Sequence, residues 1–164
     1  MTILQSGESL SHLGAFILRE AELADDNLYD DWLGLWSPQD AFYYVPYDQS
    51  EESSKRVAVI RDDYERLCER INRLKGGQTH TQNPPSKLCR VLGPLAFEQA
   101  GSPDLYTVWT RFICVEVRPD RQVTWAGKVT YRLRDQGPDR IELHRKIVHL
   151  VNTTRPIPAL SFII

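Results

Sequence analysis

Residues 105–135, LYTVWTRFICVEVRPDRQVTWAGKVTYRLRD, decide the fold. In the first half Tyr106, Val108, Thr110, Phe112 and Cys114 alternate with Leu105, Thr107, Trp109, Arg111, Ile113 and Val115. Side chains two apart along a strand share a face, so this is a long strand with apolar residues on both faces, and something must cover each of them. In the second half Val123, Trp125, Gly127, Val129, Tyr131 and Leu133 alternate with Thr124, Lys128, Thr130, Arg132 and Arg134. That pattern gives a half-buried strand with one polar face. The join Arg118–Gln122 (RPDRQ) carries turn residues and predicts an antiparallel hairpin. A second turn, Asp135–Asp139 (DQGPD), leads to Ile141–Val151, which alternates at first and then runs IVHLV. Such a phase change predicts a bulge or a strand covered on both sides.

Upstream the periodicity changes. Leu10, Leu13, Phe16, Ile17, Ala21 and Ala24 recur at three- and four-residue steps behind Ser9, which predicts a capped helix with one buried stripe, broken at Asp25-Asp26-Asn27. Leu28, Trp32, Leu35 and Trp36 predict a second, shorter helix that stops at Ser37-Pro38. The run AFYYV (41–45) before Pro46 reads as a short aromatic strand, and the serine-rich YDQSEESSK (47–55) as a surface loop. The segment VIRDDYERLCERINRLKGG (59–77) reads as a helix. Asp62 and Glu65 resemble a capping box, Tyr64, Leu67, Ile71 and Leu74 form its core stripe, and the double glycine ends it. The loop QTHTQNPPSK (78–87) is extended around Pro84 and Pro85. Helices first and strands after give an α+β chain: helices packed on a long, strongly curved, mainly antiparallel sheet.

The 164 residues, 41% hydrophobic and 26% charged, match one domain spanning 1–164. Twenty basic against twenty-two acidic side chains leave a net charge of -2, with no global field to gather nucleic acid or an anionic membrane. Cys68, Cys89 and Cys114 make an odd count without close spacing, as expected of free thiols in the cytoplasm. No run reaches the roughly 18 apolar residues of a membrane span, and the first residues do not read as an export signal.

Chemistry is harder to find. His144 and His149 lie five apart in a strand, on opposite faces, and neither they nor His12 and His80 have metal-ligand spacing to a cysteine. Cys68 reads as a small helix-flank hydrophobe, and no nucleophile elbow is present. The acidic and aromatic set Tyr29, Asp30, Asp31, Asp40, Tyr43, Tyr44, Asp62 and Asp63 admits two readings. As helix caps and core aromatics these residues are structural. As an acid–base set, Tyr29, Asp31, Asp40 and Tyr43 would serve a small stand-alone lyase or isomerase, which requires an open pocket between the helices and the curved sheet.

The order of motifs adds a further reading. LYDDWLGLWSPQDAFYYVPY (28–47), IRDDYERLCERINRLKGG (60–77), NPPSKLCRVLG (83–93), HRKIVHL (144–150) and LSFII (160–164) follow one another in a sequence that resembles the beta (small) subunit of aromatic-ring-hydroxylating dioxygenases, from about Phe16 to Ile164. The resemblance implies the cone-like α+β roll of the nuclear transport factor 2 superfamily. It also implies a noncatalytic chain that joins an alpha subunit, and other beta subunits, in a trimer or in a hexamer of three alpha and three beta chains. The Rieske iron-sulfur cluster and mononuclear iron are then on the alpha subunit, with no cofactor and no metal on this chain. His80, Pro84, Pro85, Lys87, Arg90, Trp109 and Arg111 become candidate interface residues. The family commonly has a tryptophan near His80, arginines after the proline pair and an asparagine at the place of Gly93, so the departures here imply rebuilt loop contacts.

Overall fold

The computed structural model describes residues 11–47, 58–76, 84–137, 139–151, 157 and 160–164. The elements run α1 (Ser11–Asp25), α2 (Tyr29–Leu33), β1 (Phe42–Pro46), β2 (Ala58–Asp62), α3 (Tyr64–Lys75), β3 (Lys87–Leu92), β4 (Ala96–Gln99), β5 (Leu105–Arg118), β6 (Arg121–Asp135) and β7 (Ile141–Leu150). The strands form one seven-stranded sheet in the order β2-β1-β7-β6-β5-β3, with β4 also paired to β5. β1 and β7 run parallel, and the other strand pairs are antiparallel. A few helices packed on a large, open, curved and mainly antiparallel sheet make the α+β cone that the sequence predicts.

The β5–β6 hairpin is the backbone of the sheet. Its ladder runs unbroken from Leu105↔Arg134 to Arg118↔Arg121, so only Pro119 and Asp120 form the connection. On β5 the inward set Val108, Thr110, Phe112, Cys114 and Glu116 is buried, and the opposite set faces outward. The phase change in β7 is a bulge: Leu133 pairs Leu143 while Arg132 pairs Arg145, which leaves His144 as the extra residue. Beyond it Lys146, Val148 and Leu150 all turn inward.

α1 buries Leu13, Ile17, Glu20, Ala21, Leu23 and Ala24. Its end is fixed by Asn27 at φ 57, a left-handed position that asparagine tolerates. The second helix is shorter than its periodicity suggests, because Trp36 leaves it to bridge Leu143, with Leu143 N–H donating to the Leu35 carbonyl at 2.8 Å. Trp32, Trp36 and Tyr43 then meet at ring separations of 5.3, 5.9 and 6.1 Å within the core.

The segment 59–77 is a correction. Its first residues form β2, which pairs with β1 through Val45↔Ile60 and Tyr43↔Asp62, and the helix starts only at Tyr64. Asp62 is therefore not the cap. It is a buried strand residue held by Arg70 at 2.5 Å, whereas Asp63 is the N-cap and accepts from the Arg66 backbone N–H at 3.0 Å. Asp63→Ala should cost about 1 kcal/mol of stability, measured by urea unfolding, and an unchanged midpoint would contradict that role.

Candidate functional site

The inside of the cone is organised by two acid–base pairs. Glu20 sits in phase with Leu13, Ile17 and Ala24, so the helix carries a carboxylate into the core, where it is 0% exposed. Lys146, in phase with Val148 and Leu150 on β7, reaches it: Nζ donates to Oε1 at 2.8 Å. Trp32 Nε1 donates to the same oxygen at 2.6 Å, and the Tyr131 hydroxyl to Oε2 at 3.1 Å. Burial pushes the Glu20 carboxyl up, but Lys146, Arg90 and the donated hydrogen bonds outweigh it and hold the group below its ordinary range. Burial pulls Lys146 down, with Glu20 opposing. The ammonium also lies 5.8, 5.7 and 5.9 Å from the ring centres of Trp32, Tyr43 and Tyr131.

The second pair is Asp25 and Arg90. Arg90 gives both its backbone N–H and its Nε to Asp25, each at 2.7 Å, and its Nη2 to the Ile163 carbonyl at 2.8 Å. Arg90, expected at an interface, thus turns its guanidinium inward, where the side chain is 4% exposed. Nearby, Glu116 accepts from Ser86 at 2.7 Å and from Trp125 Nε1 at 3.2 Å, which ties the end of the proline loop to the sheet.

The acid–base set named from the sequence does not converge. Tyr43 is fully buried and donates to the Ile164 carbonyl at 2.8 Å, and burial pushes its hydroxyl well above the ordinary phenol range. Tyr29 donates to Asn27 at 2.7 Å. Asp31 is exposed, as is Asp40, which lies 3.5 Å from His144 Nδ1. Among the described residues, the pocket bounded by Leu92, Phe112, Val129, Tyr131, Val148 and Ile164, with Arg90 and Lys146, holds about 10 Å³, too little for a substrate. Among the described residues no three His, Cys, Asp or Glu side chains are grouped to hold a metal. Among the described residues no helix is long and apolar enough to cross a membrane.

The outer face of the sheet differs. The rungs Val91↔Ile113↔Ala126 and Arg111↔Lys128↔His149 stack one above the other, and Val151 joins the first through its N–H to the Ala126 carbonyl at 2.9 Å. Val91, Ile113 and Val151 are 67%, 53% and 61% exposed, and they border a cleft of about 460 Å³. Burial, with the neighbouring Lys128 charge adding to it, lowers the pKa of His149 and favours the neutral ring. Gly127 forms the floor where β6 and β7 approach closely. Of the expected interface residues, Arg111 lies in this cleft and Trp109 on the next outward position, flanked by Ala96 and Thr130. Pro84, Pro85 and Lys87 are exposed at the start of β3, and His80 lies outside the described residues. Sequence reasoning missed Glu20 and Lys146, although each is a charge placed in phase with apolar neighbours, and it missed Val91 and Val151 as parts of an outward apolar patch.

Comparison with known proteins agrees with this geometry. The beta subunit of the benzoate 1,2-dioxygenase from Burkholderia mallei superposes with a TM-score of 0.76 over 99% of both chains at 24% identity. A chain of naphthalene 1,2-dioxygenase with indole bound in its active site superposes with 0.81 over 99% of this chain and 90% of that one, at 13% identity. These two share the fold. In sequence, the small oxygenase component of the p-cumate 2,3-dioxygenase system of Pseudomonas putida is 27% identical over 127 residues, covering 76% of this chain and 69% of that protein. The 2-halobenzoate 1,2-dioxygenase small subunit of Burkholderia cepacia is 33% identical over 89 residues, and the match spans about half of each chain, 51% and 53%. The model of the family described as ring hydroxylating beta subunit matches residues 19–156, and the chain therefore belongs to that family.

Proposed function

We propose that this chain is a noncatalytic structural subunit of an aromatic-ring-hydroxylating dioxygenase, acting in aromatic compound catabolism in the cytoplasm. It assembles with an iron-containing alpha subunit and with further copies of itself, as a trimer of beta chains or a hexamer of three alpha and three beta chains. The Rieske cluster and the mononuclear iron belong to the alpha subunit, and this chain carries neither. The observation that carries the reading is the contrast between the two sides of the sheet. Among the described residues the inner side is closely packed, with Glu20 paired to Lys146 and Asp25 to Arg90, while the outer side presents Val91, Ile113 and Val151 next to Arg111 and Lys128. An exposed apolar patch rimmed by polar groups is the usual mark of a protein interface.

Ile113→Asp tests it. The side chain is half exposed in the single chain, so the fold should tolerate the change. A carboxylate in place of the apolar contact, desolvated in the assembled state, should weaken association by about 2 kcal/mol, roughly thirtyfold. Sedimentation velocity should show the variant dissociating at concentrations where the native chain stays assembled; equal assembly would remove this face from the interface.

A further inference from the structure

Arg111 and Lys128 are exposed side by side across the β5–β6 ladder, and among the described residues neither is in an ion pair. In the next row of the same face stand the exposed Val91, Ile113 and Val151. The surface is thus apolar and cationic at once, which limits what can cover it. Two outer faces meeting about a two-fold axis would set these cations against the same pair in the other copy, and like charges brought together oppose association. The cover must carry carboxylates beside apolar side chains.

The chain itself has such a surface. Leu18, Glu22 and Asp26 follow at four-residue steps on the exposed side of α1, and Asp26 prolongs the helical turn through its N–H to the Glu22 carbonyl at 2.9 Å. After the left-handed Asn27, Leu28 N–H donates to the Leu23 carbonyl at 2.9 Å, and its side chain is 47% exposed, close to the 53% of Leu18. Among the described residues neither Glu22 nor Asp26 is in an ion pair, and Arg19 is the cation beside them. The sizes also agree. Leu18 to Asp26 covers about 12 Å of helix, and the row Val91, Ile113, Ala126 and Val151 spans about 14 Å across the strands.

We propose that the outer cleft of one copy receives the α1 face of the next, with Glu22 and Asp26 meeting Arg111 and Lys128 while Leu18 and Leu28 lie on Val91, Ile113 and Val151. Two different patches meet, so the contact repeated by rotation closes a ring and does not give a two-fold dimer. The inference rests on the reading above that the chain assembles with copies of itself, and it assigns the cleft to another beta chain and not to the alpha subunit.

Charge reversal on each side of the contact, in the full chain, tests it. One variant carries Arg111→Glu and Lys128→Glu, a second Glu22→Lys and Asp26→Lys, and a third all four changes. These side chains are exposed, so the fold should survive, and circular dichroism checks that it does. Sedimentation velocity should show the first two variants self-associating at least about tenfold more weakly than the native chain, and the third recovering to within about threefold of it. A surface that is merely damaged cannot recover in this way. Where a reversed chain does not fold, Lys128→Gln and Glu22→Gln replace the reversals, each weakening association about threefold and both together no more than either alone. Association that survives the helix reversals, four reversals without recovery, or a native chain that stays monomeric at every concentration overturns the inference. Coexpression of the same chains with an alpha subunit separates it from the reading on which it rests. A mixed complex that forms although the helix reversals do not weaken self-association removes the α1 contact alone, whereas a native chain that forms no complex of either kind removes both.

Discussion

Glu20→Ala should lower the unfolding free energy by about 4 kcal/mol and the melting temperature by about 12 °C. The size follows from what the substitution leaves behind. Lys146 Nζ, Trp32 Nε1 and the Tyr131 hydroxyl all donate to this carboxylate, and Lys146 is 1% exposed, so an ammonium would remain buried without its counter-charge. Breaking one side of a buried pair costs far more than an exposed pair contributes, because the orphaned charge keeps its desolvation penalty. Glu20→Gln keeps an acceptor for Trp32 and should lose less. The pair also sets an acid limit. The Glu20 carboxyl is held below its usual 4.5, so its contribution is fully present above that value and is lost as pH falls through the depressed one. Native stability should therefore drop with acidification below pH 4.5, and the Gln variant should drop less steeply over the same window. Chemical denaturation at several pH values reads both effects. A loss under about 1 kcal/mol for Glu20→Ala would show the pair to be idle.

Gly127→Ala should cost about 3 kcal/mol, or about 9 °C, although it adds only one methyl group. A Cβ at this position would lie 2.2 Å from the His149 carbonyl oxygen, 3.0 Å from its carbonyl carbon and 3.2 Å from Leu150 Cα. All three are backbone atoms of β7, so no rotamer change relieves the clash and the β6–β7 ladder must part where Gly127 faces Leu150. Because His149 lines the outer cleft, the displacement should also disturb assembly, and the loss of stability measured on the single chain separates the two effects. A midpoint unchanged within a degree would mean that the strands can slide apart freely.

Alternation made the β5–β6 hairpin legible, since fourteen successive pairs keep inward and outward residues in phase. The same signal located the irregularity in β7, and helical spacing located the buried stripe of α1. β2 was hidden because VIRDD runs straight into a strongly helical sequence, so local preference favoured extending the helix backward, and only pairing with β1 decides otherwise. Trp36 was assigned to a helix for a like reason: its bridge to Leu143 is a contact across more than a hundred residues, invisible to periodicity. The candidate site was less legible than the fold. Arg90 shares a face with Leu88 and Leu92, opposite Lys87, Cys89 and Val91, and this mixture of apolar and charged residues on both sides does not fix which side of β3 faces the core. A hydrophobic LSFII is easy to see, yet its carbonyls' meeting with Tyr43 and Arg90 is a tertiary fact.

The central claim, that this chain serves by assembling, is tested most directly by native mass spectrometry after coexpression with a ring-hydroxylating dioxygenase alpha subunit. The account predicts a mixed complex with equal numbers of the two chains, three of each, whose iron follows the alpha subunit. A chain that stays monomeric beside every alpha subunit offered, and forms no complex with itself, would contradict it.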